Sequence, residues 1–279
     1  MSNKLKNNKE LHDKITEKYA KKQEKYDNKI KQLKEKKEQL KQEEKIEKSK
    51  IDNKIDEIEK KHGVRDLVSG LTHCVGAGLS LIGLIFLIIW AALYGTAMHV
   101  VTFTIFGVGL TLLYLFSTLY HWLNISERGI RVFRKFDHTM IYILIAATYT
   151  PVCLCAIKGG LGWLLFGVVW FAAVCGTVLS SVWINAPRWL TTIIYVAMGW
   201  VVVFAVKPLI ETFTNKSLTE GLYWLLAGGI MYTIGGIIYG IKKPKKKICG
   251  FGFHEIFHVF VMLGSACHYW FIIRYVLQF

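Results

Sequence analysis

The sequence predicts an all-α membrane protein in which a long polar helix precedes a bundle of seven transmembrane helices. Hydrophobic residues make up 53% of the chain, yet the net charge is +15. Residues 1–62 contain 20 Lys and 14 acidic residues, whereas residues 63–279 contain only 6 acidic residues. The second part also holds repeated apolar runs of about 20 residues, enough to cross about 30 Å of hydrocarbon as a helix. We therefore expect a charged cytoplasmic helix over 1–62 and a transmembrane domain over 63–279.

The segment 1–62 is predicted to be one helix because it contains neither Pro nor Gly. A 3–4 spacing of aliphatic residues runs along its second half, with charged residues between them: Ile30, Leu33, Leu40, Ile51 and Ile58. This weak heptad pattern is at best that of an interrupted coiled coil, so self-association and a solvated, partly disordered charged helix are equally open. The basic residues predict attraction to anionic lipid headgroups. Nucleic acid is not expected as a partner, because acidic residues are interleaved and no set of stacking aromatic residues is present.

Seven apolar segments are each long enough to span a bilayer. The connections between them are short, so we expect sequential and mostly antiparallel packing. The predicted spans are Leu67–Leu93, Val100–Leu123, Phe136–Ile157, Leu161–Ile184, Trp189–Leu209, Leu222–Ile241 and Phe251–Ile273.

Loop charge predicts the orientation of the bundle, since cytoplasmic loops carry an excess of Lys and Arg. Every second loop is basic, and the polar arm before the first span is basic as well. The basic loops contain Arg128, Arg131, Arg134 and Lys135 after span two, Arg188 after span four, and Lys242, Lys243, Lys245, Lys246 and Lys247 after span six. The N-terminus is therefore predicted to be cytoplasmic and the C-terminus to be outside.

Ionisable residues from three predicted spans lie at one membrane depth in this topology. His254 and His258 form an HExxH pattern at the start of the last span, so both imidazoles share one helix face. Ser117 and His121 have the same spacing at the end of span two, and Asp137 lies in the first turn of span three. Because ionisable groups inside a span are costly, they are candidates for a functional site in the inner leaflet.

Three neutral imidazoles and a water form the usual catalytic zinc site, so His121, His254 and His258 are the predicted ligands. Asp137 is a candidate to accept a hydrogen bond from the water or to act as its base. Ser117 is a candidate for three roles: it could orient His121, donate a hydrogen bond to the water, or polarise a carbonyl group. Glu255 is the base in soluble HExxH proteases and a further candidate. Because it lies one position round the helix from His254, the alternative is that it faces a neighbouring helix or the basic loops. A cluster of packing histidines without metal is the alternative.

The remaining histidines are given other roles. His268 lies ten residues after His258, about 15 Å along the helix, too far to join the same ion. It is interpreted as a hydrogen-bonding residue deeper in the bundle. His73, beside Thr72, is interpreted as a helix-end residue, with a supporting contact to the site as the alternative.

Several motifs, in order along the chain, resemble the bacterial hemolysin III family. This family of PAQR-type membrane homeostasis proteins is the bacterial branch of the progestin and adiponectin receptor superfamily, and it is related to alkaline ceramidases. The resemblance covers about residues 64–279. It is carried by Ser117–His121, Phe133–His138, Ala147–Pro151, Met198–Trp200 with Lys207-Pro208, and His254–His258.

The resemblance implies a multi-pass protein of the bacterial plasma membrane with seven helices and an inner-leaflet zinc. The family positions for the Ser and His of the second helix, the Asp of the third and the paired His of the last are all present here. The segment 1–62 lies outside the family pattern.

Three functions remain open at the level of sequence. The first is zinc-dependent hydrolysis of a lipid amide or ester. The second is a non-enzymatic role in membrane homeostasis or sensing, with a structural zinc. The third is lytic activity, which the near absence of charged residues along the spans disfavours.

Overall fold

The computed structural model describes residues 2–183, 185–245 and 251–279, except for the side chains of 2–21, 24, 27 and 62. Ile184, at the end of predicted span four, and loop residues Lys246 and Lys247 lie outside the described residues. The described part of the chain is helical and has no strands, which confirms the predicted fold class. Its α-helices are α1 (Ser2–His62), α2 (Leu67–Tyr94), α3 (Ala97–Trp122), α4 (Glu127–Pro151), α5 (Gly159–Val182), α6 (Arg188–Gly199), α7 (Val206–Asn215), α8 (Glu220–Ile241) and α9 (Phe253–Arg274).

Two compact units are distinguished by their internal contacts, Met1–Lys54 and Ile55–Phe279. The predicted boundary after residue 62 stays a prediction about domain organisation. The first unit is helical over its described residues, and its aliphatic residues at the 3–4 spacing, such as Ile30, Leu33 and Leu40, are exposed. The second unit contains every helix from α2 to α9.

Seven helical spans in the described residues are long and apolar enough to cross a membrane, as predicted. Helix α4 continues as a π-helical segment, Val152–Ile157, and α6 and α7 form one span through a 3₁₀ segment, Trp200–Ala205. Large apolar side chains cover the outside of the spans; Phe171 is 72% exposed and Phe204 is 81% exposed. Such a surface requires a hydrocarbon environment.

The start of α4 differs from the sequence prediction. The helix begins at Glu127, nine residues before the predicted Phe136, and Ser126 caps it by accepting a hydrogen bond from the Gly129 N–H at 3.3 Å. The basic residues that were predicted as a loop therefore form the first turns of this helix. Asp137 lies well inside α4, although it is still near the start of the apolar part.

The interruption of the fifth span is held by Tyr149 of α4. The Tyr149 hydroxyl donates to the Gly199 carbonyl at 2.6 Å and accepts from the Val202 N–H at 2.8 Å. At this interruption the Gly199 carbonyl and the Val202 N–H bond to Tyr149 instead of to partners within the helix. Such pairing is needed because a membrane interior offers no water to backbone polar groups.

The two ends of the bundle are distinguished by the helices that begin there. At the proximal end α2, α4, α6 and α9 begin, and the Asp66 N–H donates to the His121 carbonyl at 3.0 Å. At the distal end α3, α5 and α8 begin, and His99 contacts the Val276 carbonyl at 3.3 Å. The assignment of the proximal end to the cytoplasm stays a prediction.

Candidate metal centre

Three histidines meet at the proximal end of the bundle. His121 lies in the last turn of α3, and His254 and His258 lie in the first turns of α9. One ring nitrogen of each lies within 4.8 Å of the others, and His121 Nε2 is 3.0 Å from His254 Nε2. The structure thus brings together the three residues that the HExxH and SxxxH spacings selected.

The donor set of this cluster fits a zinc ion. Tetrahedral Zn–N bonds of about 2.0–2.1 Å separate two ligand nitrogens by about 3.3 Å, close to the 3.0 Å between the Nε2 atoms of His121 and His254. Neutral imidazole is a preferred zinc ligand, and three protein ligands leave a fourth position for water or substrate. Without a metal, two ring nitrogens at 3.0 Å require a proton between them.

Asp66 orients His121, and the sequence analysis did not identify it. Its Oδ2 lies 3.1 Å from His121 Nδ1, and its Oδ1 caps α2 by accepting from the Ser69 N–H at 3.2 Å. Burial raises the pKa of Asp66, but the hydrogen bonds from His121 and Ser69 and the attraction of His121 outweigh it and lower the pKa to about 2. The ionised carboxylate accepts the Nδ1 proton, so Nε2 of His121 presents its lone pair to the cluster.

Thr72 fixes the proton of His258 in the same way. The Thr72 hydroxyl donates its one proton to the Ser69 carbonyl at 2.8 Å. It must therefore accept from His258 Nδ1, which lies 3.0 Å away. The lone pair of His258 is then on Nε2. Thr72 thus makes a supporting contact to a predicted ligand, a role that the sequence had suggested only for its neighbour His73.

His73 lies against the other side of His258. The two rings stack with centroids 3.5 Å apart and an angle of 12° between their planes. His73 is buried, and neither of its ring nitrogens has a hydrogen-bond partner in the described part of the chain. It fixes the plane of the His258 ring by packing.

Glu255 connects α9 to α2. Its Oε1 accepts from the Ser69 hydroxyl at 2.5 Å, and its Oε2 accepts from the Gly252 N–H at 2.6 Å. The side chain is buried, so these bonds compensate for its removal from water. The observed contacts give Glu255 an anchoring role, and its role as a base stays a prediction.

Asp137 and Ser117 lie close to the cluster without joining its ligand set. Asp137 lines a cavity that also reaches His254 and His258. Ser117, one turn before His121, is 1% exposed, and its hydroxyl has no partner among the described residues. An unpaired buried hydroxyl beside a metal-ligand cluster is available to bind a further polar group.

The cavity extends from the histidines towards the distal end and has a volume of about 450 Å³. Its wall is largely aliphatic and aromatic, and it reaches Leu209 and Leu222 near the distal ends of their spans. Several lining residues of α7 and α8 are also exposed on the outside of the bundle, including Val206, Tyr223 and Leu226. The cavity therefore communicates with the surroundings of the fifth and sixth spans.

One signal for the missed residues was present in the sequence. Asp66 immediately precedes the first apolar span, as a helix N-cap does, and Ser69 follows three residues later. Capping rules therefore predict that Asp66 begins α2. Its second bond, to His121, depends on the packing of α2 against α3 and has no local signal.

Seven apolar spans and a three-histidine cluster define a polytopic helical membrane protein with a candidate metal centre. The family described as "Haemolysin-III related" matches residues 62–269, and the chain belongs to this family. It is thus a multi-pass membrane protein, and in a bacterial cell such a protein lies in the plasma membrane. This confirms the resemblance drawn from the sequence motifs.

Individual relatives agree with the family assignment. The chain is 40% identical over 212 residues to Hemolysin-3 of Bacillus cereus, covering 76% of this chain and 92% of the relative. It is 40% identical over 214 residues to the Hemolysin-3 homolog of Bacillus subtilis, covering 76% and 95%. The human monocyte to macrophage differentiation factor is 28% identical over 180 residues, covering 63% of this chain and 71% of the relative.

Proposed function

We propose that this protein acts in membrane homeostasis or sensing by hydrolysing the amide or ester bond of a membrane lipid at a zinc ion. The observation that carries the proposal is the position of the three-histidine cluster, at the proximal end of an apolar cavity of about 450 Å³. A hydrolytic centre open to a cavity with apolar walls suits a substrate that has one polar reacting bond and a long apolar chain.

His121, His254 and His258 hold the zinc, and Asp66 and Thr72 fix the ring orientations of His121 and His258. When bound, zinc supplies a Lewis acid that lowers the pKa of water to about 7. Asp137, in the cavity wall beside His254, accepts the proton of the reacting water. Ser117 donates a hydrogen bond to the reacting water or to the carbonyl oxygen of the substrate.

The wall of the cavity supports a lipid substrate. Exposed apolar residues of α7 and α8 form part of the wall, so an acyl chain can enter from the hydrocarbon rather than from water. This route avoids the cost of carrying an acyl chain through water, which is about 0.8 kcal/mol for each CH₂ group.

The test combines metal content with turnover. Purified protein in detergent should contain about one zinc per chain, as required by one four-coordinate site. A panel of lipid amides and esters should yield a free fatty acid with the wild type and not with Asp137→Asn, while the zinc content of Asp137→Asn stays unchanged. Zinc-loaded wild type that cleaves no lipid of the panel would count against hydrolysis.

A structural zinc in a non-enzymatic membrane protein is the second candidate. It is favoured by the bonds that connect the cluster to three helices, since Asp66 and Thr72 of the α2 region contact ligands on α3 and α9. In this case His121→Ala would lower thermal stability strongly, and Asp137→Ala would keep full function in cells.

The predicted topology and surface partners belong to the same proposal. The basic first turns of α4, the start of α6 at Arg188 and the described lysines after α8 (Lys242, Lys243 and Lys245) lie at the proximal end, where they would contact anionic headgroups of the cytoplasmic leaflet. Self-association of residues 1–62 would bring two copies together.

A reporter fused after Phe279 should be active only outside the cell, and a cytoplasmic signal would overturn this orientation.

A further inference from the structure

The cavity has a second polar residue far from the histidine cluster. His268 lies on α9 ten residues after His258, which places it about 15 Å further along the helix. It lines the cavity and is 5% exposed. The metal-ligand cluster does not include it.

His268 lacks hydrogen-bond partners in the described part of the chain. Its Nδ1 is enclosed by other atoms and unpaired. The neighbouring hydroxyls are paired with one another instead: Tyr114 donates to Ser265 at 2.7 Å, and Tyr232 contacts the same Ser265 hydroxyl at 2.9 Å. These hydroxyls therefore make no bond to the His268 ring, and Nε2 has no hydrogen-bond partner among the described residues.

The position of the His268 ring is fixed by packing. A Cβ atom on Gly228 of α8 would lie 2.6 Å from Nε2, so a side chain there is sterically excluded. On another side the Tyr232 ring lies 5.2 Å away, measured between ring centroids. The ring is therefore held in place although it makes no hydrogen bond to the described residues, which is unusual for a buried polar group.

A neutral His268 has one ring N–H. Because an enclosed N–H without a partner is rarer in proteins than an enclosed acceptor, the proton belongs on Nε2 and the lone pair on Nδ1. Nε2–H is then a donor in the wall of an apolar cavity that has no acceptor among the residues the structure describes. It matches a ligand atom that accepts a hydrogen bond.

We propose that His268 binds an oxygen substituent carried partway along the chain of a lipid whose reacting end lies at the three-histidine cluster. This inference rests on the proposed function, because it requires an acyl chain in the cavity. An extended chain advances about 1.2 Å per bond, as the polypeptide backbone does, so 15 Å corresponds to roughly twelve bonds. The favoured ligands are therefore hydroxy- or oxo-acyl lipids oxidised near the middle of the chain.

The oxygen is neutral rather than ionised. The residues that contact the His268 ring, Tyr232 and Gly228, carry no charge. An anionic group at this depth would have to leave water without a cationic partner, which is far more costly than burying a hydroxyl. A hydroxyl or ketone can be compensated by the single hydrogen bond that His268 offers.

The experiment measures the affinity of two fatty acids that differ in one hydroxyl. Zinc-loaded protein in detergent is titrated with octadecanoic acid or with the same acid hydroxylated at roughly the twelfth carbon, by displacement of a fluorescent fatty acid. The wild type should bind the hydroxy acid about five- to tenfold more tightly, as one buried neutral hydrogen bond provides. In His268→Leu the hydroxyl of the bound acid still leaves water but finds no hydrogen-bond partner. The preference for the hydroxy acid should therefore vanish or reverse.

Two further variants separate a ligand contact from general disruption. His268→Gln keeps an N–H donor and should retain part of the preference. Gly167→Ala, on α5 and outside the cavity lining, adds a methyl group where no atom lies within 4 Å and should bind both acids as the wild type does. Equal affinities in the wild type, or a preference that survives in His268→Leu, would overturn the inference. If neither acid binds, the cavity does not hold an acyl chain, and the proposed function fails together with the inference.

Discussion

His258 and His268 lie on one helix and are almost equally buried, yet their surroundings differ completely. His258 is 1% exposed, bonded through Nδ1 to Thr72 and stacked on His73. His268 is 5% exposed, and its Nδ1 is unpaired in the described residues. A histidine whose far nitrogen is held by the protein is prepared to bind a metal with the other. A histidine held only by packing retains its hydrogen-bonding capacity for a ligand.

The largest expected effect is loss of the metal. His121→Ala and His254→Ala should each reduce zinc from about one per chain to near zero, because two imidazoles hold zinc far more weakly than three. His268→Ala is the matched control and should keep its zinc. Elemental analysis of the purified proteins measures all three. Zinc that persists in His121→Ala would show that α3 contributes no ligand to the metal site.

Replacing Asp66 tests the bond that orients His121. Asn caps a helix as well as Asp does, so Asp66→Asn should leave the start of α2 intact. The substitution replaces the charged carboxylate that accepts the hydrogen bond from His121 Nδ1 with a neutral amide. Zinc affinity should therefore fall about 10- to 100-fold. Competition with a chelator measures this change. Glu127→Gln, which alters an exposed acid of α4, is the control and should have wild-type affinity.

Two adjacent glycines of α8 test the packing around His268. Gly228→Ala would place a methyl group 2.6 Å from His268 Nε2 and should destabilise the protein by about 1–3 kcal/mol. Gly229→Ala has nothing within 4 Å and should be neutral. Thermal unfolding in detergent compares them, and zinc content should be unchanged in both. Equal melting temperatures for the two variants would show that the His268 ring shifts to accommodate the new methyl group without loss of stability.

The smallest effect is expected at Thr72. Thr72→Val keeps the shape of the side chain but removes the acceptor for His258 Nδ1–H. Because this bond is neutral, zinc affinity should fall by about tenfold or less, below the effect of Asp66→Asn. The same chelator competition applies. A larger loss than that of Asp66→Asn would reverse the assigned importance of the two bonds.

Periodicity and spacing predicted the parts of this protein that depend on local sequence. The seven spans follow from apolar runs, and the meeting of His121 with His254 and His258 follows from two four-residue spacings placed at one depth by loop charge. The start of α4 was predicted too late because hydropathy marks the apolar part of a helix, whereas the Ser126 cap marks its true beginning.

The contacts that support the site could not be predicted in this way. Asp66, Thr72 and Ser69 all lie near the start of α2, and each acts on a residue at least 55 positions away. Their roles depend on how α2 packs between α3 and α9. Without that packing, an N-cap Asp and two small hydroxyl residues at a helix start have an ordinary local explanation.

The double use of Asp66 also connects metal binding to local motion. One oxygen holds the Ser69 amide and the other holds His121, so the first turn of α2 and the metal ligand share a single side chain. A metal ion that binds His121 therefore also restrains the first turn of α2. Because such coupling is reciprocal, a well-formed first turn increases the affinity for the metal ion. Chelation should therefore speed hydrogen exchange at the Ser69 and Gly70 amides, while amides in the middle of α2 keep their protection.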